Sequence, residues 1–124
     1  MFAFGNRRAY DALQDQFASD CVLDLSRQGL GTYDGATAIR AFCEDWIEVY
    51  EEFVLTAAEL VALDHGVVLT VNRHSGRLLN SSAQVILDNA WVFVCQDAAI
   101  VLWTAYNDAD EARAAAERLA EERE

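Results

Sequence analysis

Apolar side chains recur along this chain with two different periods. Between residues 9 and 17, Tyr10, Leu13 and Phe17 stand at helical spacing and predict a short amphipathic helix. Residues 20–26 read as a short strand, and Gly29, Gly31 and Gly35 punctuate the following stretch as a hairpin or loop. The strongest helical signal runs over 35–53, where Ile39, Phe42, Cys43, Trp46, Tyr50 and Phe53 repeat at three- and four-residue steps. Asp34 is placed to cap this helix, because its carboxylate can accept the free amide protons of the first turn. The opposite face carries Glu44, Asp45, Glu48, Glu51 and Glu52 and reads as a solvated surface.

After Phe53 the period shortens. Residues 53–63, 67–75, 81–95 and 99–107 are rich in Val, Leu, Ile, Thr and aromatics. Asp64-His65-Gly66, Ser75-Gly76 and Gln96-Asp97 separate them, so they predict consecutive antiparallel strands. The tail over 109–123 is rich in Ala, Glu and Arg, with a thin apolar stripe through Ala112, Ala115 or Ala116, and Leu119. Asp108 followed by Glu111 has the spacing of a reciprocal capping box. Helices followed by a run of strands indicate an α+β fold with helices gathered on one face of the sheet. The strands over 81–95 and 99–107 are apolar on both faces, which predicts a homodimer through the second face.

Alternation along the strands assigns side chains to faces. On 67–75, Val67, Leu69, Val71 and Arg73 form the expected core side, with Val68, Thr70, Asn72 and His74 opposite. On 83–95, Asn89 is the one polar group on the face that holds Val85, Leu87, Trp91 and Phe93. A buried amide needs a partner, so Asn89 is expected to bond a neighbour, a water or a ligand. His65 and His74 read as surface residues.

Composition narrows the partners. The 124 residues hold 21 acidic against nine basic side chains, for a net charge of −12. Every basic residue is Arg, and with no basic stripe neither nucleic acid nor an anionic membrane is an expected partner. Cys21, Cys43 and Cys95 show no metal spacing and read as reduced, mostly buried thiols of a cytoplasmic protein. No signal peptide, long apolar run, linker or repeat interrupts the chain, so residues 1–124 read as one domain without cofactor or metal. The all-Arg, Ala-rich bias suggests a GC-rich bacterial genome.

The order of motifs adds a resemblance. Asn6-Arg7-Arg8 leads into the Asp11-Ala12-Leu13 helix and Ala18-Ser19-Asp20-Cys21-Val22. Gly35, Ala38, Ile39, Arg40 and Phe42 follow, and Tyr106 and Asp108 close the series. Over essentially its whole length the chain resembles the SnoaL-like branch of the nuclear transport factor 2-like superfamily. That resemblance implies a cone-shaped, cystatin-like α+β roll, in which a bent antiparallel sheet wraps N-terminal helices around an apolar pocket, with a C-terminal helix added. Relatives include polyketide cyclases, ketosteroid isomerase, limonene epoxide hydrolase and dehydratases. The first helix of such proteins normally extends upstream of Asn6, where this chain has only Met1 to Gly5. Their Asp-Gly-Lys hairpin is Asp97-Ala98-Ala99 here.

Catalytic groups carry over poorly. The base position of ketosteroid isomerase falls on Leu25, beside Asp24, and its protonated acid falls near Asn89 or Ala90. Its tyrosine lies at or before Met1. An acid of the epoxide hydrolases falls on Ala105, although Arg73 could serve as their arginine. The leading expectation is therefore a small apolar molecule bound in a conical pocket. Trp46, Trp91, Tyr33 and Leu25 would line that pocket, and Arg73 and Asn89 would form its polar end. The alternatives are an acid–base enzyme (isomerase, cyclase, dehydratase or epoxide hydrolase) using Asp24 or Asp88, and a non-catalytic interaction subunit.

Overall fold

A computed structural model describes residues 7–81 and 83–123. Met1 to Gly5, where the shortened first helix was expected, and Asn6 lie outside the described residues. The helical spacing near the N-terminus produces one turn and a half, α1 (Tyr10–Gln14), which buries Leu13. Strand β1 (Phe17–Asp24) follows, and then a short strand β2 (Thr32–Asp34) in the stretch read as a loop. Helix α2 (Ala36–Glu48) buries Ile39, Cys43 and Ile47. Complete burial of an aliphatic side chain such as Ile39 contributes about 1.5–3 kcal/mol. The long strands β3 (Tyr50–Ala62), β4 (Val67–Leu78), β5 (Gln84–Gln96) and β6 (Ala99–Tyr106) come next, and helix α3 (Ala109–Glu122) ends the chain.

The six strands form one open sheet in the order β2-β1-β6-β5-β4-β3. The sheet is mixed, because β1 runs parallel to β6, with Val22 beside Leu102 and Leu23 beside Trp103. Every other pair is antiparallel. Parallel neighbours need a long crossover, and the whole β2–β5 segment supplies it. Short-range patterns detect hairpins and not such a crossover.

Both faces of the sheet are buried, each by a different helix. Leu23, Phe53, Leu55, Trp91, Phe93 and Trp103 line the concave face with α2 over them. Val67, Leu69, Val92, Val94 and Tyr106 belong to the outer face, where Ala112, Ala115 and Ala116 of α3 cover them. The small side chains on α3 let its backbone approach closely, and Arg113 adds an exposed ion pair to Glu59 on β3, with N···O distances of 3.1 and 3.2 Å. The second apolar face assigned to a partner copy is thus occupied over these residues by the chain's own helix. Two exposed residues, Val54 and Ile86, lie beyond that cover.

Two helix starts differ from expectation. The N-cap of α2 is Gly35 at φ 94°, with no side-chain cap bond, and its amide donates 2.7 Å to the Cys21 carbonyl. Asp34 is spent as the last residue of β2. A side chain at Gly35 would also crowd the Ser19 carbonyl at 3.3 Å. At α3 the capping box does not form, and Asp108 caps the helix by accepting from the Asp110 amide at 2.9 Å. Glu111 turns to Arg27 instead, 3.4 Å away. No helix among the described residues is long and apolar enough to cross a membrane.

Candidate functional site

A cavity of about 800 Å³ opens between α2 and the concave face of the sheet. Helix α2 contributes Phe42, Asp45 and Trp46, spaced so that they share one face. The sheet contributes His74 from β4, Asn89 and Trp91 from β5, and Trp103 and Ala105 from β6. Leu25, Gln28, Leu30 and Tyr33 contribute from the turn and strand after β1. Chains of edge-on aromatic contacts form much of the wall. Trp46 meets Trp91 at 6.1 Å and 74°, and Trp91 meets Trp103 at 4.9 Å and 73°. Tyr33 packs on Phe42 at 4.9 Å.

One polar residue of the lining, His74, comes from the side of β4 expected to face solvent. Strand register explains the reversal. Asn72 lies opposite Asn89 and His74 opposite Leu87, so Thr70, Asn72 and His74 share the concave face with Asn89. Val67 and Leu69 are indeed buried, but under α3 and away from the cavity. Asn72 donates 3.1 Å to Oδ1 of Asn89. His74, only 3% exposed, joins its Nε2 to the Tyr50 hydroxyl at 3.1 Å. Gly76 makes room for that tyrosine, since a Cβ there would lie 2.6 Å from the Tyr50 ring. Burial lowers the His74 pKa, so at neutral pH the ring is uncharged. Among the described residues its Nδ1 finds no hydrogen-bond partner, and neither do Nε1 of Trp103 and Oε1 of Gln28.

The residues expected at the pocket separate cleanly. Trp46, Trp91, Tyr33, Leu25 and Asn89 line the cavity. Arg73 does not. It points from the outer face, 60% exposed at its side chain, and grips Asp88 through Nε and an Nη at 2.8 and 3.0 Å. The polar position that it was expected to hold belongs to His74, the neighbour on the opposite pleat. The hairpin register was the available signal: a strand face opposite Asn89 must carry Asn72 and hence His74.

Neither candidate carboxylate is placed as a buried acid or base. Bonds from the Ser26 hydroxyl and amide hold the Asp24 pKa below its ordinary value, with Arg27 adding to this. Asp24 neighbours Thr104 on the outer face, away from the cavity. The Arg73 guanidinium likewise lowers Asp88, whose carboxylate it holds on the outer face. The thiols are held protonated, Cys43 pushed up to about 12 and Cys21 to about 11, chiefly by burial. An uncharged imidazole, the three amides of Gln28, Asn89 and Asn107, and an aromatic wall suit the binding and hydrogen bonding of a small molecule.

No protein-family model matches the chain, and neither does any curated sequence. Solved structures do match. A protein of ketosteroid isomerase-like fold from Catenulispora acidiphila, in complex with trimethylamine, is 15% identical with a TM-score of 0.75, covering 94% of this chain and 88% of its own. A nuclear transport factor 2-like protein of unknown function from Burkholderia pseudomallei is 18% identical with a TM-score of 0.71, covering 89% and 86%. An LEH-like epoxide hydrolase of Mycobacterium tuberculosis is 18% identical with a TM-score of 0.70, covering 94% and 84%. Identities so low establish architecture and leave chemistry open: the chain has the α+β cone fold shared by nuclear transport factor 2-like and ketosteroid isomerase-like proteins.

Proposed function

We propose that this protein binds a small, largely apolar molecule in the cavity between α2 and the concave sheet. The single observation that carries this reading is the cavity itself, about 800 Å³ with all three tryptophans of the chain in its lining. Ligand sites are typically concave spaces of about 300–1,000 Å³ with aromatic walls and a few polar groups. His74 and Asn89 supply those groups here. Two similar structures hold small molecules, trimethylamine in one and polyporic acid in the other, which adds support from the fold.

Because the three tryptophans share one lining, intrinsic fluorescence reports directly on occupancy. Titration with N-phenylnaphthylamine, a neutral apolar dye, should saturate at one dye per chain with energy transfer from tryptophan. Trp46→Ala should weaken binding about tenfold, the equivalent of about 1.4 kcal/mol. Asn89→Ala should change affinity in the same direction. A titration that never saturates, or an affinity that both substitutions leave untouched, removes this reading.

A further inference from the structure

The charge of the occupant can be read from the lining, on the premise that the cavity is a binding site. No arginine among the described residues lines it. Arg73 is held outside by Asp88. Of the two acidic residues at the cavity, Asp45 and Asp88, the second has its carboxylate turned to Arg73 on the outer face. Asp88 is neutralised by its bidentate partner, whereas no cation among the described residues forms an ion pair with Asp45. An anionic ligand would therefore meet no counter-charge.

Two further features favour the opposite sign. Trp46, the half-buried tryptophan of the lining, contributes a ring whose π-face is electron-rich and attracts ammonium groups. Gln28 contributes an acceptor. Its Nε2 donates to the Ala105 carbonyl at 3.2 Å and to Oδ1 of Asn107 at 3.0 Å, so the amide orientation is set. Its Oε1 is left buried without a donor. Such an oxygen is costly unless something donates to it, and an ammonium N–H would. The net charge of −12 also enriches cations around the molecule before any contact is made.

We infer that the cavity selects organic ammonium ions: amines whose apolar body lies against the aromatic wall and whose charge is met by Asp45, the Trp46 ring and Oε1 of Gln28.

The test compares probes of one shape and three charges. Calorimetric titrations of the full chain would use naphthylmethylammonium, ethylnaphthalene and naphthoate. The ammonium should bind about tenfold tighter than its neutral isostere, with naphthoate weakest, and added salt should narrow the gap. Asp45→Asn and Gln28→Met should each reduce the ratio of ammonium to ethylnaphthalene affinity several-fold. Both positions lie toward the surface, so either variant can report if the other is lost. Equal affinity for the ammonium and ethylnaphthalene, or a preference for naphthoate, overturns the inference and leaves the cavity reading intact. Failure of all three probes to bind removes both.

Discussion

At the scale of single residues, His74 concentrates the chemistry of the site. It is a titratable ring inside an aromatic wall, 5.4 Å from Trp46 at 90° and bonded to the Tyr50 hydroxyl. Burial puts its folded pKa below the ordinary 6.5, so on acidification the unfolded chain takes up the proton first. Its contribution to stability is therefore intact above about pH 7 and declines as pH falls toward the folded pKa. The carboxylates of Asp24 and Asp88 are depressed, so their contributions disappear only in a separate, more acid window. Melting curves of wild type and His74→Gln between about pH 7 and pH 5 should converge as the wild type loses stability and the variant does not. Curves that stay parallel would show that His74 is not the group responsible. The residue was read as exposed because Val67, Leu69 and Val71 made the other pleat look like the core side. That pleat is buried too, by a helix 40 residues downstream, which no local pattern reveals.

At the scale of elements, the turn between β5 and β6 carries a visible strain. Gln96 pairs with Ala99, so Asp97 and Ala98 form a two-residue loop, with φ of 53° and 65°. Two positive values match the right-handed twist of a hairpin, a geometry that normally uses glycine. Alanine there pays a steric cost that glycine avoids, partly offset by glycine's greater freedom when unfolded. Ala98→Gly should therefore raise stability by about 0.5–1 kcal/mol in denaturant titration. A lower midpoint would show that the positive φ carries no strain worth relieving. Most elements were legible because periodicity is local: the four long strands stand within a few residues of where spacing puts them, and α2 starts as expected but ends at Glu48, so that Tyr50 and Phe53, read as helical, belong to β3. The misreadings share another cause. β2 is three residues long, and the cap of α2 depends on the Cys21 carbonyl, fourteen positions away in sequence. The pocket side chains on α2 and β5 were readable for the same local reason, whereas the exchange of Arg73 for His74 needed the pairing of two strands.

At the scale of the molecule, α3 acts as a cover. Its alanines seal Val67, Leu69, Val92 and Val94, each at most 2% exposed. Deleting residues 109–124 would return that surface to water, and a contiguous apolar patch on a sheet invites association. The shortened chain should sediment as larger species in analytical ultracentrifugation, and more so as concentration rises. If it sediments like the full chain, the helix is not what keeps this face apart.

The parallel pairing of β1 with β6 also has a consequence for biosynthesis. β1 leaves the ribosome well before its neighbour, Ala99–Tyr106, does. Until then Leu23 has no Trp103 to lie beside, and the apolar stripe of α2 has only part of its floor. The meander from β3 to β6 joins neighbours in sequence and can assemble as it emerges. The N-terminal third must wait for pairings that span about 80 residues, the slow kind of contact. Until β6 has emerged, the apolar side chains of β1 and α2 stay partly unsheltered, the interval in which a chaperone has most to offer.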